Sequence, residues 1–507
     1  MSRYVAVDIG AESGRVITGT LAGGRVALEE VHRFANLPVR TPDGLHWDVL
    51  RLYKEVLTGL SAAGARSGHA ISGIGVDAWG VDFGLLDAGG RLLGNPYHYR
   101  DARTDGVRER VAGVVPAAEQ YARTGIAQLP INTLYQLAAQ DTHARVPGGD
   151  RSLEHADALL MIPDLLHYWL TGVRAAEYTE ATTTGALGVE GTWATDLLAR
   201  LDIPARMLLP PVQPGTTLGP LHSTARAECG LGAVPIILPA THDTASAVVA
   251  MPVVPRPEGT RSRTTHAYIS SGTWSLLGIE IDAPFLGDEA RRAGFTNEGG
   301  LDGTRRFQKN IMGLWLIQEC RRAWARAGDD WGYEEMTARA AAIASPGVVI
   351  DANDPAFLHP AEMPAAIMAH LARTGQGAID DPVALVRAIL EGLALAYRVA
   401  IEDLEGLTGR QIDVIHVLGG GARNGLLCQL TADACHRPVL AGPVEATALG
   451  NILAQAIGAG ELRDLREARL VARASAQITH FEPRARGDWD ERRERLRAFQ
   501  IRRQEGT

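Results

Sequence analysis

The sequence predicts two related α/β domains facing a shared cleft. Three observations carry that expectation: an opening that reads strand, tight turn, strand, strand, helix, strand; a return of the same theme in the second half; and a connector rich in Pro and Arg between them. In the opening, "YVAVDIGAESGRVITGTLAGGRVALEEVHRF" carries β-branched runs broken by Gly-rich turns. Leucines and valines at helical spacing then predict a helix from about Asp48 to Ala65, and an apolar strand follows that ends at Asp77. From Asn95 to about Ala240 the text is helical and loop-rich, as in "NTLYQLAAQ" and "IPDLLHYWLTG", and reads as elaboration on one domain. The second half opens on "HAYISSGTWSLLGIEI", again strand, turn, strand, and later brings the strand "IDVIHVL", a glycine cluster and a further helix. No fixed period relates the halves, which excludes a solenoid. The boundary is expected near 245–265, where "PVVPRPEGTRSRTT" reads as an exposed connecting loop. The tail from Gly487 mixes Arg with Asp and Glu, as a helix with a solvated face would.

Composition narrows the function. The 507 residues are 46% hydrophobic and 21% charged, which suits a globular chain and excludes disorder as the main theme. A net charge of −9 leaves no large basic field for a phosphate backbone, so no nucleic-acid partner is expected. No apolar run is long enough to span a bilayer, and Asp8 interrupts the first one; no membrane partner is expected and the default address is the cytoplasm. Cys229, Cys320, Cys428 and Cys435 contain no C-x-x-C, and the closest pair, seven apart on one predicted helix, would be separated by about 10.5 Å. They read as buried, reduced thiols. Lys54 and Lys309 are the only lysines and neither follows a glycine, which excludes a Walker A loop.

Six segments could carry chemistry. "DIGAESGR" places Gly10 and Gly14 in a hairpin turn whose backbone N–H groups can approach an anion, with Ser13 and Arg15 as further donors and Asp8 able to hold hydrated Mg²⁺; a plain hairpin with an Asx-turn is the alternative. "SSGTWS" is a second such turn, and two together could grip one polyphosphate. "VIHVLGGGARNGLL" fits only the first two positions of a dinucleotide fingerprint, with Asn424 in the third and no acid about 20 residues on, so it reads as a backbone platform for a base or ribose, or as tight packing. "THDTASAVVAM" puts Asp243 and Thr244 where helix caps belong, and capping is the favoured reading; a carboxylate there could also accept a proton from a substrate hydroxyl. In "DAWGVDFGLLD", Asp77 and Asp82 could form an opposed pair as in a glycosidase, which would leave the phosphate turns without purpose, and Trp79 is either sugar-facing or a half-buried core aromatic. "FQKNIMGLWLIQE" is read with Lys309 and Asn310 at a helix start and Gln318 two turns later.

Taken in order, and together with "YRDART", "EYTEATTT", "TNEGG", "KNIMGLWL" and "AGPVEATALGNI", these segments resemble the FGGY carbohydrate kinase family over about residues 4 to 480. The resemblance implies two actin-like ATPase (ribonuclease H-like) domains flanking a central cleft: 1–248 with the sugar site, 249–470 with the nucleotide site, and an extension over 471–507. It implies an enzyme, monomeric or homodimeric, whose partners are ATP, Mg²⁺ and a small-molecule sugar. The activity implied is phosphorylation of L-rhamnulose to L-rhamnulose 1-phosphate. A kinase for another ketose, deoxyketose or polyol, or an actin-like ATP-binding regulator, are the alternatives. Carried over by position, ATP phosphates would meet Ala11, Glu12, Ser13, Gly14 and Arg15, with Thr273 from the other turn; Gln318 and Gly420 would serve the rest of the nucleotide. Gly80, His242, Asp243, Thr244 and Asn310 would hold the sugar, Asp243 would be the catalytic base, and Asp8 would organise Mg²⁺ through water. Glu12 departs from the small hydroxyl residue usual in the family, so its side chain is expected to point outward or to help hold metal.

Overall fold

The computed structural model describes residues 1–67, 70–144, 150–253, 265–329, 331–484 and 487–505. Most of the expected connector, 254–264, therefore lies outside the described residues. The chain forms two compact units, each interleaved in sequence: 1–257 with 280–308 and 446–476, and 258–279 with 309–445 and 477–507.

The first unit is built on a six-stranded sheet. Its order is Thr217–Pro220, Pro235–Ile237, Gly73–Ala78, Ser2–Ile9, Ser13–Ala22 and Arg25–Ala35. Strand Ser2–Ile9 runs parallel to Gly73–Ala78 and antiparallel to its hairpin partner Ser13–Ala22. Gly73–Ala78 is buried throughout and Ser2–Ile9 from Tyr4 onward, and over those residues both read as apolar runs interrupted at Asp77 and Asp8. Helices cover both faces. A Cβ at Gly59 of helix Val49–Ser67 would strike Val16, whereas Ile452 of helix Ala446–Gly458 presses on Gly19. Positions 16 and 19 differ by an odd number on one strand, so they point to opposite sides of the sheet. The expected helix at 48–65 is thus present one residue later, and the strand ending at Asp77 is present with one more residue. The stretch 95–240 is helical as expected and adds short strands such as Ala158–Met161, whose four residues fall below the length at which alternation can be read.

The second unit repeats the core. Trp274–Ile281, His266–Ser271, Val414–Leu418, Val439–Ala441 and Thr479–Phe481 are neighbours in that order. Its hairpin His266–Ser271/Trp274–Ile281 again has a parallel strand, Val414–Leu418, on the far side of its first member. The 27-residue helix Pro382–Thr408 is buried along most of its length in this unit. The C-terminal helix Trp489–Glu505 has the expected solvated face, with Asp490, Glu491 and Glu494 exposed, and buries its other side, where Leu496 is fully buried and Arg492 lies against Glu391 at 2.7 Å. All four cysteines are buried and free, as expected, and burial pushes the Cys428 and Cys435 thiols up to about 12.

Candidate active site

In the first unit the hairpin Ser2–Ile9/Ser13–Ala22 turns over Gly10, Ala11 and Glu12. Gly10 N–H donates to Ser13 O at 2.9 Å, and the outer strand clamps the turn through Asn36, whose Nδ2 donates to Gly10 O at 2.9 Å and whose N–H donates to Glu12 O at 2.8 Å. The Gly10 and Glu12 carbonyls are thereby occupied, which favours the turn's N–H groups as its ligand-facing edge. Glu12 is half-buried and its Oε1 is shut away from solvent, so the outward-pointing alternative does not hold. Register places Asp8 opposite Arg15, and their side chains pair at 2.5 Å.

Register also makes Asp8 the neighbour of Asp77 on the adjacent parallel strand. Beyond that strand, Ala78 N–H donates to Thr241 O at 2.9 Å and Ala78 pairs with His242 as an isolated parallel bridge. The chain then turns into helix Asp243–Val249, so Asp8, Asp77 and Asp243 stand at the same end of three adjacent chain segments. Burial, and next to it the charge of Asp8, hold the Asp77 carboxyl well above the usual range; Asn451 from helix Ala446–Gly458 partly offsets this by donating to Oδ2 at 2.5 Å. Asp77 Oδ1 is buried without a hydrogen-bond partner among the described residues.

Asp243 is not the cap that its position suggested. The N-cap residue is His242, and no side-chain cap hydrogen bond forms. Thr244 Oγ1 donates to Asp243 Oδ1 at 3.1 Å, and 32% of the Asp243 side chain stays exposed, enough for a ligand to reach the other oxygen. Surrounding protein, with a smaller push from Asp8, raises the carboxyl against the lowering effect of His242. His242 Nε2 lies 3.5 Å from Asp243 Oδ1, and Nδ1 lies 3.2 Å from Glu298 Oε2.

Nearby, the backbone turns sharply at Trp79–Asp82. Gly80 sits against Thr183, whose Cγ2 would lie 3.0 Å from an added Cβ, and Asp82 N–H donates to Gly80 O at 3.0 Å around Val81 at φ 71°. This is a γ-turn of the rare positive-φ kind, held by a β-branched residue. Asp82 fixes it: Oδ2 accepts from Trp47 Nε1 at 2.6 Å, Trp79 Nε1 at 3.0 Å and Tyr99 N–H at 3.2 Å, and Oδ1 accepts from Gln136 Nε2 at 2.8 Å. Burial pushes Asp82 up to about 6, against those four donors. Both oxygens are engaged and the side chain is fully buried, so Asp82 is no partner for Asp77 in an opposed catalytic pair, and these two residues do not form the glycosidase arrangement. Trp79 is buried at 5% exposure and belongs to this core rather than to an open sugar platform.

The second unit carries its own turn. Gly272 and Thr273 join the hairpin strands, and the chain entering helix Trp315–Arg326 seals their carbonyls: Leu314 N–H donates to Gly272 O at 3.0 Å and Gly313 N–H to Thr273 O at 3.1 Å. Strand Val414–Leu418 ends at Gly419, at φ 80°, followed by the exposed, uncrowded Gly420. Gly421 is tighter still, since a Cβ there would lie 2.0 Å from Ser271 Oγ. Lys309 and Asn310 differ from expectation: they lie on strand Arg305–Met312 rather than at a helix start, because the helix waits for Gly313 to pass the turn. Lys309 pairs with Asp403 at 3.3 Å. Asn310 Oδ1 and Gln318 Oε1 are buried acceptors with no hydrogen-bond partner among the described residues, an arrangement that ligand donors would relieve.

Sequence reasoning missed Asn451, Val81, Glu298 and Arg306. Two of them lie in segments whose wording was noted without a role, "AGPVEATALGNI" and "TNEGG"; nothing in the local sequence marks Val81 as strained.

Residues 3–250 match the family model for the FGGY family of carbohydrate kinases, N-terminal domain, and residues 267–459 match that for the C-terminal domain. The chain is 40% identical over 488 residues to a protein of Bacteroides thetaiotaomicron named rhamnulokinase, covering 96% of this chain and 97% of that one. It is 43% identical over 492 residues to one of the same name from Pectobacterium carotovorum, covering 96% and 95%. In fold it is similar to the crystal structure of gluconate kinase from Lactobacillus acidophilus, with a TM-score of 0.79, 16% identity, and coverage of 99% and 98%. No helix among the described residues is long and apolar enough to cross a membrane.

Proposed function

This chain belongs to the FGGY family of carbohydrate kinases, and we propose that it transfers the γ-phosphoryl group of ATP to the primary hydroxyl of L-rhamnulose, with Asp243 as general base. It is a sugar kinase; the choice of sugar rests on the name its relatives carry. The observation that supports the chemistry best is the setting of Asp243: a carboxylate free of capping duty, one oxygen engaged by Thr244, its basicity raised by burial and by Asp8.

Phosphoryl transfer asks a protein mainly for alignment and charge neutralisation. Backbone N–H groups of Ala11, Glu12, Ser13 and Gly14, with Arg15, hold ATP phosphates; Thr273, Gln318 and Gly420 are the contacts of the second unit. In the first unit Gly80, His242 and Thr244 serve the sugar, and Asn310 is the second unit's sugar residue. Asp243 takes the hydroxyl proton as the oxygen bonds phosphorus, while the bond to ADP breaks.

Asp8 and Asp77 suit a hydrated Mg²⁺ rather than a caged one. No group of three or more metal-ligating side chains occurs among the described residues, and Mg²⁺ ordinarily keeps several waters and takes one or two carboxylates plus substrate phosphates. Bound there, it would neutralise charge on the β- and γ-phosphates.

The test is ADP release against a panel of ketoses, deoxyketoses and polyols, with ³¹P NMR of the product. A maximum at L-rhamnulose with phosphate on the primary hydroxyl is expected; a maximum at another ketose or a polyol reassigns the substrate.

A further inference from the structure

Two arginines of the first unit support residues proposed to meet the sugar. Arg306 touches one of them directly, donating from Nη2 to His242 Nδ1 at 3.1 Å. Arg103 acts at one remove. It stands on the short helical turn Ala102–Thr104, where Asp101 Oδ1 accepts Arg103 N–H at 2.9 Å. Its guanidinium lies over the Tyr97 ring, 4.0 Å from the centroid, and borders a cavity of about 820 Å³ together with Tyr97, Gln140 and Asp150. Burial pushes the group down to about 10, which leaves it charged at neutral pH.

Both Nη atoms of Arg103 reach one residue. Nη2 donates to Gln136 Oε1 at 2.7 Å and Nη1 donates to Gln136 O at 2.9 Å. Gln136 is buried on helix Thr133–Ala144 and passes the grip on. Its Nε2 donates to Asp82 Oδ1 at 2.8 Å, to Ile131 O at 2.9 Å and to Val81 O at 3.2 Å. Two hydrogens thus serve three oxygens, and two of those oxygens belong to the turn that presents Gly80. A glutamine side chain turns about three bonds, so the position of that nitrogen is only as well defined as the restraint on the rest of the amide. Arg103 supplies the restraint. A guanidinium carries donors alone, in a rigid fork, and here the fork spans the side-chain and backbone oxygens of the same residue. Without it Oε1 would be buried with no donor, and the amide would hold the turn less firmly.

We propose that Arg103 is a positioning residue for the sugar: by fixing Gln136 it sets the Trp79–Asp82 turn, and with it the place where Gly80 meets the substrate. The inference rests on the reading that Gly80 holds the sugar. Arg103 acts on a turn other than Gly10–Arg15, so its loss bears on sugar binding and spares ATP binding and the chemical step.

Steady-state kinetics of R103M test this on the full-length enzyme, since methionine keeps an apolar stem over Tyr97 and removes both donors. KM for the sugar is expected to rise about tenfold, the net worth of one buried hydrogen bond, with KM for ATP and kcat at their wild-type values. R103K keeps the charge but not the fork, and its sugar KM should fall between the two. Q136M should raise the sugar KM at least as far as R103M does, and R103M placed in Q136M should add less than about twofold, because the two side chains act through one route. A folded R103M with wild-type sugar KM overturns the proposal. So does an equal rise in KM for ATP, and so does an R103M effect as large in Q136M as in the wild type. If R103M does not fold, R103K decides: an unchanged sugar KM in that variant overturns the proposal. Failure of the underlying reading looks different, because G80A would then leave the sugar KM at its wild-type value.

Discussion

Asn451 reaches back across most of the chain to donate to Asp77 Oδ2 at 2.5 Å, and the same side chain accepts from Gln455 Nε2 at 2.6 Å. Gln455 Nε2 also donates to Val5 O at 3.0 Å. The helix at 446–458 is therefore fixed onto the sheet that begins at Ser2, and its close approach to helix Asp243–Val249 depends on Gly450, where a Cβ would strike Ser246 O. N451A would leave the Asp77 carboxyl buried without its donor, a loss of about 1–3 kcal/mol. Chemical denaturation should report that loss, and a fragment ending at residue 257 should fail to fold on its own.

Val81 holds a positive φ that a β-branched residue rarely adopts, and three side chains enforce it: Thr183 Oγ1 accepts from Val81 N–H at 3.2 Å, while Thr133 Oγ1 and Gln136 Nε2 donate to Val81 O at 2.7 and 3.2 Å. Strain of this kind costs about 1–3 kcal/mol and persists where surroundings over-determine it. V81G should relieve the strain and loosen Gly80, raising KM for the sugar while KM for ATP stays at the wild-type value. Steady-state kinetics with each substrate varied in turn would separate the two.

What could be read in the chain without coordinates follows from which interactions are local. The two hairpins and their glycine turns were legible because strand alternation and turn chemistry lie within a dozen residues. Lys309 and Asn310 read as a helix start because the "IMGLWLI" that follows has no polar residue, and periodicity cannot divide a buried strand from the helix that follows it. Asp243 was assigned to capping because a carboxylate at a helix start ordinarily caps; that His242 takes the N-cap position depends on the bridge to Ala78, a tertiary fact. Asn451, Glu298 and Arg306 act over long sequence separations, where only the resemblance of whole motifs carried a signal.

Asp82 gives a pH signature. Its folded pKa is raised from 3.8 to about 6, so the folded state binds the proton more tightly than the unfolded chain does. Its contribution is fully present below about pH 4 and is lost as pH rises through about 6, a change of roughly 3 kcal/mol at 1.36 kcal/mol per unit. D82N has no such titration. The stability difference between wild type and D82N, followed by denaturation from pH 4 to 7, should therefore shift against wild type by that amount; a constant difference would show that the four donors cancel the cost of burial.

The last prediction tests Asp243 as the proposed base. D243N keeps the size of the side chain and the Thr244 contact but cannot take a proton, so turnover should fall by roughly 10²- to 10⁴-fold. ATP binding, measured by calorimetry without sugar, should stay at the wild-type value or strengthen, because removing the charge also removes repulsion from Asp8 and from the phosphates. The two readouts together discriminate: a variant that had merely lost its fold would lose both, and a sugar-binding residue with no role in proton transfer would raise KM and spare kcat. If Asp243 is the base, the wild-type kcat should also decline on acidification at a pH above the usual carboxylate range, since burial raises the folded Asp243 carboxyl and the proposed role needs its ionised form. That limb should vanish from the residual activity of D243N.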